Sequence, residues 1–292
     1  MSNKIHPNAR VFAGLRILAI LMSIVLPATE TTAAERPNVV MLLADDLGYG
    51  DLGCYGSATH RTPHLDALAA GGMLFTNAYA NAPNCAPTRA ALMSGLYAPR
   101  TGIYTVNGAS RGKAKNRRLI PIPNRTILDE SIVTLAETLS DAGYATGHVG
   151  KWHLGADPCS QGFDVNVAGN KAGHPKSYHS PYSNPDLEDG PEGEYLTDRM
   201  AREASGFIEE HAEQPFFLQL AFFSVHTPIQ GRADLVETYG EALGENKDAH
   251  YAAMVTALDE AVGQVLATLA EQDLLESTLV LFFSDVWGND LF

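Results

Sequence analysis

Apolar runs of strand length alternate with helical patterns along this chain, and this alternation constrains the fold more than any other feature. The strongest runs are Asn38–Ala44, 215–223 and 278–283, and a weaker one is Ala145–Gly150. The strong runs lack the strict polar alternation of a strand with one face in water. Strands buried on both faces and joined by helices predict an α/β fold with a mostly parallel central sheet and helices on both faces.

The remaining elements are shorter or less regular. One more strand is predicted at 73–80, where aromatic residues are frequent. Helices are predicted at 62–71, 87–93, 132–142, 195–211 and 250–271. The segments 106–131 and 155–194 are rich in Gly, Pro, Asn and charge, so we expect surface loops that shape access to a site.

The composition is that of a globular protein and is strongly acidic. The 292 residues are 45% hydrophobic and 18% charged, which excludes a disordered or low-complexity chain. The formal net charge is −14, and it becomes −14 − 3 + 1 = −16 without residues 1–34. Such a chain is a poor general binder of nucleic acid. An anionic substrate must therefore be held by local positive groups.

The first 34 residues have the pattern of a signal peptide. Lys4, Arg10 and Arg16 precede the apolar run 17–26, and 32–34 offers a small-residue cleavage site. An uncleaved anchor is the alternative, but ten apolar residues are too few to cross about 30 Å of hydrocarbon. No later stretch is expected to span a membrane. We expect an exported protein, periplasmic or secreted, with no stable membrane insertion once the signal is removed.

The three cysteines do not form a disulfide scaffold. They are Cys54, Cys85 and Cys159, and an odd count in an exported chain suggests that one of them has a separate task. Cys54 and Cys159 either pair or stay free, and both alternatives remain open.

Chemically active side chains follow four of the predicted strands. They are Asp45 and Asp46 after the first run, Lys151 and His153 after 145–150, His226 after 215–223, and Asp285 after 278–283. Ligands of open α/β sheets bind beyond the carboxyl ends of the strands. This convergence predicts an active site at one edge of the sheet.

Two adjacent carboxylates, Asp45 and Asp46, suggest a divalent cation. A cation relieves their mutual repulsion, and oxygen ligands favour Ca²⁺ or Mg²⁺. A solvated turn before a Gly-rich loop is an equally good interpretation of the pair alone. Asp285 is a candidate third ligand, although an isolated Asp at that place is more often a cap or turn residue.

The sharpest motif is Cys85-Ala86-Pro87-Thr88-Arg89. Pro87 in a first helical turn places Cys85 near a helix N-terminus, where anions and anionic nucleophiles are stabilised. Arg89 lies one turn further on and faces the same side. The alternative is a structural cysteine that caps the helix.

The basic and imidazole side chains complete the candidate set. Lys151 and His153 are two residues apart and point the same way in an extended segment, as a point charge for an anion and a proton carrier. His226 alone is more often a structural histidine. The other histidines are assigned to structural or surface roles, among them His60, His64, His148, His174 and His211.

Six segments of the chain resemble one known family. They are 36–56, 62–80, 85–102 with the C-x-P-x-R motif, 143–155 with GKWHLG, 222–228 and 279–285. Their sequence and order are similar to those of the formylglycine-dependent sulfatases of the alkaline phosphatase superfamily. The resemblance implies that 35–292 is a sulfatase catalytic domain. It also implies a hydrolase that releases sulfate from a sulfated alcohol, phenol or glycan.

The resemblance also implies a modified cysteine and a metal. Cys85 would be oxidised to formylglycine by a formylglycine-generating or anaerobic sulfatase-maturing enzyme, and the hydrated aldehyde would attack sulfur. Asp45, Asp46 and Asp285, with the modified Cys85, would hold Ca²⁺, Mg²⁺ being less expected. Further roles would be to steady the nucleophile (Arg89), neutralise a sulfate oxygen (Lys151), take the diol proton (His153), and bind sulfate or protonate the leaving alcohol (His226).

The chain departs from the family pattern at its end. The family has Asn after the third Asp, where this chain has Val286, and its members are considerably longer. A later sulfate-binding lysine and a smaller C-terminal subdomain are absent. We therefore expect an incomplete catalytic domain with impaired activity. The alternatives are a phosphodiesterase or phosphonate monoester hydrolase of the same superfamily, or an inactive fragment.

Overall fold

The computed structural model describes residues 36–110, 112–244 and 246–286. The predicted signal peptide, 1–34, lies outside the described residues. The strands are β1 (Asn38–Ala44), β2 (Ala145–Gly150), β3 (Val165–Val167), β4 (Phe216–Ala221) and β5 (Thr278–Ser284). The helices are α1 (Pro63–Gly71), α2 (Cys85–Ser94), α3 (Ala98–Thr101), α4 (Leu135–Asp141), α5 (Leu196–Glu210), α6 (Ala233–Leu243) and α7 (Lys247–Glu271), with short 3₁₀ turns between some of them.

The described strands form one parallel sheet in the order β3-β2-β4-β1-β5. β1 pairs with β4 on one side and with β5 on the other, so that Leu42 lies opposite Leu220 and Phe282. This confirms the predicted parallel sheet. Because every pair is parallel, the carboxyl ends of all these strands lie at the same edge.

Apolar helices cover both faces of the sheet, as predicted. On one face, Leu42 of β1 packs in a cluster with Met200 of α5 and Leu258 of α7. On the other face, Met41 belongs to a second cluster with Met93 of α2 and residues of α4. Neighbouring residues of a strand point to opposite faces, which explains why the central strands are apolar throughout.

The prediction that no stretch after the signal is long and apolar enough to span a membrane is wrong. By length and composition alone, helix α7 could cross a membrane. However, 72% of its apolar window is buried inside the protein, where it packs on α5 and α6. Its composition is that of a core helix, because it is covered on most sides.

The predicted strand at 73–80 is also wrong. The segment is irregular, and Met73 and Phe75 are 78% and 60% exposed. The preference of aromatic residues for strands reflects packing on a pleated surface, and this segment has no neighbouring strand to provide one. Helix α6 and two short elements, α3 and β3, were not predicted from the sequence.

Helix boundaries follow capping groups more closely than apolar periodicity. Helix α4 starts at Leu135 and not at 132, because Thr134 and Glu137 form a capping box. Helix α7 starts three residues before the predicted position, because the Asn246 side chain accepts hydrogen bonds from two backbone N–H groups of its first turn. All three cysteines are free, so Cys54 and Cys159 do not pair.

Candidate active site

The carboxyl edge of the sheet brings together all eight predicted site residues. Strands β1, β2, β4 and β5 end just before Asp45 and Asp46, Lys151 and His153, His226, and Asp285, respectively. Helix α2 adds Cys85 and Arg89 from the side. Direct contacts link the carboxylates to Lys151, Arg89 and His226, and link Cys85 to His153.

Three carboxylates form a compact acidic cluster. Oxygen atoms of Asp45, Asp46 and Asp285 lie within 4.8 Å of one another. Asp45 is fully buried, and its Oδ1 atom has no hydrogen-bond partner. Burial raises the pKa of Asp45 well above its usual value, although the nearby Lys151 opposes the shift. A divalent cation fits here, because it would satisfy the orphaned oxygen and favour the ionised carboxylates.

Two buried basic side chains form ion pairs with this acidic cluster. Lys151 Nζ lies 2.5 Å from Asp45 Oδ2, and Arg89 Nε lies 2.7 Å from Asp285 Oδ2. Burial alone would raise the pKa of Asp285, but Arg89 and Lys151 outweigh burial and hold the pKa below its usual value. Arg89 also donates to the Lys151 carbonyl, while its Nη2 has no partner. The site therefore keeps one unpaired donor for an anionic group.

Cys85 is the first residue of α2, as the motif predicts. Burial raises the pKa of its thiol. Lys151 lowers this pKa, and the negative charges of Asp45 and Asp285 raise it. Burial therefore opposes the stabilisation that the helix N-terminus offers to an anionic sulfur. A protonated, buried thiol is a poor nucleophile.

His153 lies beside Cys85, with its Nδ1 3.4 Å from the cysteine Sγ. Its backbone has a φ of 64°, in the left-handed region, and its N–H donates to the Asn170 carbonyl at 2.9 Å. Burial, with the positive charges of Lys151 and Arg89, lowers its pKa to about 3. The imidazole is therefore neutral at neutral pH, and one of its ring nitrogens is a hydrogen-bond acceptor.

His226 is part of the site and not an isolated structural histidine. Its Nε2 lies 3.6 Å from Asp46 Oδ2, and its Nδ1 donates to the Thr227 carbonyl at 2.8 Å. The hydroxyl of Tyr178 donates to the backbone carbonyls of Phe223 and His226 and so fixes this segment. Burial lowers the pKa of His226, and the charge of Lys151 adds to this effect.

Sequence reasoning missed one histidine of the site. The ring of His174 stacks on that of His226, with centroids 5.9 Å apart and planes 7° apart. The sequence predicts only a structural or surface role for this residue. The one sequence feature that pointed to a site role for His174 was its position in 155–194, the segment predicted to shape access to the site.

A cavity of about 690 Å³ opens beside these groups. Cys85, His153 and His226 line it together with residues of the two predicted access loops. These are Val106 and Asn107 from the first loop, and Ala156, Asn170, Lys171, Ala172, Gly173, His174, Pro185 and Asp186 from the second. The cavity therefore places substrate-sized space against the candidate chemical groups.

A family model described as Sulfatase matches residues 37–286. The chain belongs to the sulfatase family. It is 34% identical to the N-acetylgalactosamine-6-sulfatase of Canis lupus familiaris, over 93% of this chain and 54% of that protein. A sulfatase of Formosa agariphila is 32% identical, over 95% of this chain and 63% of that protein. The chain spans about half the length of the mammalian relative.

A solved structure supports the same family. The crystal structure of Ps i-CgsB matches with a TM-score of 0.72 and 32% identity, over 86% of this sulfatase-family chain and 58% of the other. The similarity confirms the predicted alkaline phosphatase-like α/β fold. The predicted family is thereby confirmed as well.

Proposed function

We propose that the protein is a hydrolase that releases sulfate from a sulfated alcohol, phenol or glycan, after Cys85 has been converted to formylglycine. The observation that carries the proposal is the position of Cys85. It lies at the wall of a substrate-sized cavity, beside a neutral His153 and a cluster of three carboxylates. An unmodified thiol with a raised pKa is unsuited to that position.

The residues of the site are chemically suited to Ca²⁺ and to a formylglycine at position 85, the two groups that the family implies. Asp45, Asp46 and Asp285 would hold Ca²⁺, and the orphaned Oδ1 of Asp45 is a ready ligand. Val286 supplies no side-chain oxygen, so water would complete the coordination. When present, the metal supplies charge neutralisation and the hydrated formylglycine supplies an oxygen nucleophile.

The chain's own residues would bind the sulfate and move protons. The Nη2 of Arg89, which is buried and has no hydrogen-bond partner, would donate to the group at position 85. Lys151 would neutralise a sulfate oxygen. His153, which is neutral, would accept a proton at Nδ1 from position 85. His226 would hydrogen-bond the sulfate or protonate the leaving alcohol.

We also propose where the protein works and how it matures. Export follows from the signal-like residues 1–34, and we expect a mature N-terminus near Glu35 outside the cytoplasm. N-terminal sequencing of protein from the native cell tests this. The C-x-P-x-R segment would be read by a formylglycine-generating or anaerobic sulfatase-maturing enzyme. A structural neighbour, Ps i-CgsB, has been crystallised with a neocarrahexaose, which supports a glycan as one candidate substrate.

The test is sulfate release by protein coexpressed with a maturing enzyme. Conversion of the Cys85 thiol to an aldehyde lowers the mass of its tryptic peptide by roughly 18 Da. We expect release of sulfate from nitrophenyl sulfate, lost in Cys85→Ala and kept in Cys159→Ala. Full conversion without sulfate release, or faster turnover of a nitrophenyl phosphodiester, would contradict the proposal.

A further inference from the structure

The basic residues of this acidic chain are unevenly distributed. Between Asp66 and Asp129 the sequence has no acidic residue and eight basic ones. Five of these eight lie within 111–118, whose sequence is RGKAKNRR. An anionic substrate approaching a chain of charge −14 needs a local positive surface, and this is the densest one in the sequence.

The described part of this segment is presented to solvent. Lys113, Lys115 and Arg118 are exposed, and within the described residues none of the three forms an ion pair with a carboxylate. Arg117 instead donates to the carbonyls of Ser110 and Gly112 and so helps to shape the turn. The unpaired charges are available to a ligand.

Hydrogen bonds join the two ends of the loop that carries these residues, and one end lines the candidate active-site cavity. The Asn124 side chain accepts hydrogen bonds from the N–H groups of Tyr104 and Thr105, at 2.6 and 3.1 Å, and donates to the carbonyls of Thr105 and Asn107. Asn107 itself lines the cavity. Lys113 is six residues further on, so it lies within about 20 Å of Asn107.

We propose that the described residues 107–110 and 112–124, the basic loop, bind additional sulfate groups of a polysulfated glycan whose reacting ester lies in the cavity. This rests on the proposed function and narrows the substrate from any sulfate ester to a polyanionic chain. A single sulfate held at Cys85 and Arg89 does not need the loop, whereas a polymer with sulfates on neighbouring sugars reaches both sites.

Nucleic acid is the competing polyanion, and the sequence of the loop argues against it. Binding of single strands relies on aromatic side chains that stack on bases, and 105–131 contains no aromatic residue. The exposed apolar residues nearby are aliphatic, namely Leu119, Ile120 and Ile122. The loop thus offers charge without a stacking platform.

Binding is tested on the 292-residue chain with unconverted Cys85, so that the result does not depend on turnover. The probe is dextran sulfate, titrated by calorimetry at several NaCl concentrations. For Lys113→Gln/Lys115→Gln we expect at least fivefold weaker binding and a salt slope shallower by about one to two, since two cationic contacts are lost. The matched control Arg61→Gln/Lys247→Gln removes two exposed charges elsewhere and should stay within twofold of wild type.

Turnover by the converted protein separates this inference from the proposed function. We expect the double variant to lose kcat/KM on a polysulfated oligosaccharide, by at least fivefold, and to keep wild-type kinetics on nitrophenyl sulfate. Absence of turnover on both substrates in the wild type would refute the proposed function, while the dextran sulfate result would still decide whether the loop binds. Unchanged dextran sulfate affinity in the variant, or tighter binding of single-stranded DNA of equal charge, would overturn the inference.

Discussion

Charged residues of the candidate site are buried in pairs of opposite sign, so each residue depends strongly on its partner. Lys151 and Asp45 are both fully buried and lie 2.5 Å apart. Removal of one partner leaves a buried charge without compensation, which costs about 3–5 kcal/mol of the free energy of unfolding. The pair is therefore a structural requirement of the site as well as a chemical one.

We predict that Lys151→Met destabilises the metal-free protein by about 3 kcal/mol or more, because Asp45 then loses the counter-charge with which it is paired. Urea unfolding in the presence of EDTA measures this. The double variant Asp45→Asn/Lys151→Met should recover much of the loss, since neither charge remains. If the double variant is as unstable as Lys151→Met, lost packing and not the unpaired carboxylate is responsible.

Gly173 positions His153, although it has no side chain. A Cβ at position 173 would lie 2.5 Å from Cε1 and 2.7 Å from Nε2 of the His153 ring. We predict that Gly173→Ala lowers kcat on nitrophenyl sulfate about 10- to 100-fold with little change in KM, because the imidazole must move. Gly108→Ala is the control, since nothing lies within 4 Å of its Cβ position. Steady-state kinetics with normal kcat in Gly173→Ala would refute this role.

The convergence of the candidate site residues was predictable from sequence, but some of their neighbours were not. Asp45, Lys151, His226 and Asp285 each follow an apolar run, and parallel strands bring such positions to one edge. Gly173 lies beside His153, and His174 stacks on His226, through the path of a long loop, which no local pattern encodes. The same holds for the raised pKa of Cys85, which depends on burial by distant segments.

At the scale of elements, the strongly apolar strands were predictable, and the surface beside the edge strand β5 was not. Apolar runs specify β1, β4 and β5, because both faces of each are covered or partly covered. The run at 73–80 is equally apolar but lies along an open groove. Apolar residues in sequence therefore do not distinguish a sheet strand from the wall of a groove.

The groove beside β5 is large and apolar. It has a volume of about 1000 Å³ and is lined by β5 together with 72–81, including Phe75, Tyr79 and Phe282. Strand β5 is at the end of the described sheet order, so its outer edge also has no strand partner among the described residues. Apolar surface next to an open strand edge favours association between chains.

We predict that the 292-residue chain self-associates through this groove. Phe75→Lys, at a residue that is 60% exposed, should shift sedimentation velocity profiles toward monomer, because a charge in the groove is costly to bury. Val133→Lys, at a residue 66% exposed outside the groove lining, is the control. Equal self-association of both variants and wild type would place the contact elsewhere.

At the scale of the whole molecule, the site joins segments that are distant in sequence. Asp46 follows β1, and Asp285 follows β5, 239 residues later. An ion shared by these carboxylates would connect the ends of two neighbouring strands. Since the unfolded chain does not hold the carboxylates together, ligand binding at this point stabilises the folded state.

We therefore predict that Ca²⁺ raises the thermal midpoint of the chain. At a free concentration 100 times Kd, binding stabilises by about 2.7 kcal/mol, which is roughly 5–10 °C for a domain of this size. Calorimetry against an EDTA reference measures the shift. Mg²⁺ should shift the midpoint less, because it demands a compact octahedral shell that three carboxylates and Val286 do not provide.

Variants of the cluster decide whether this shift belongs to the proposed site. Asp46→Asn should remove most of the Ca²⁺ shift, because it replaces a charged ligand, whereas Asp141→Asn at an exposed position should leave it unchanged. Val286→Asn should enlarge the shift, because it adds an oxygen next to Asp285 where the chain has an aliphatic side chain. A Ca²⁺ shift of the same size in wild type, Asp46→Asn and Val286→Asn would mean that the ion binds elsewhere and that the three carboxylates serve only to hold Lys151 and Arg89.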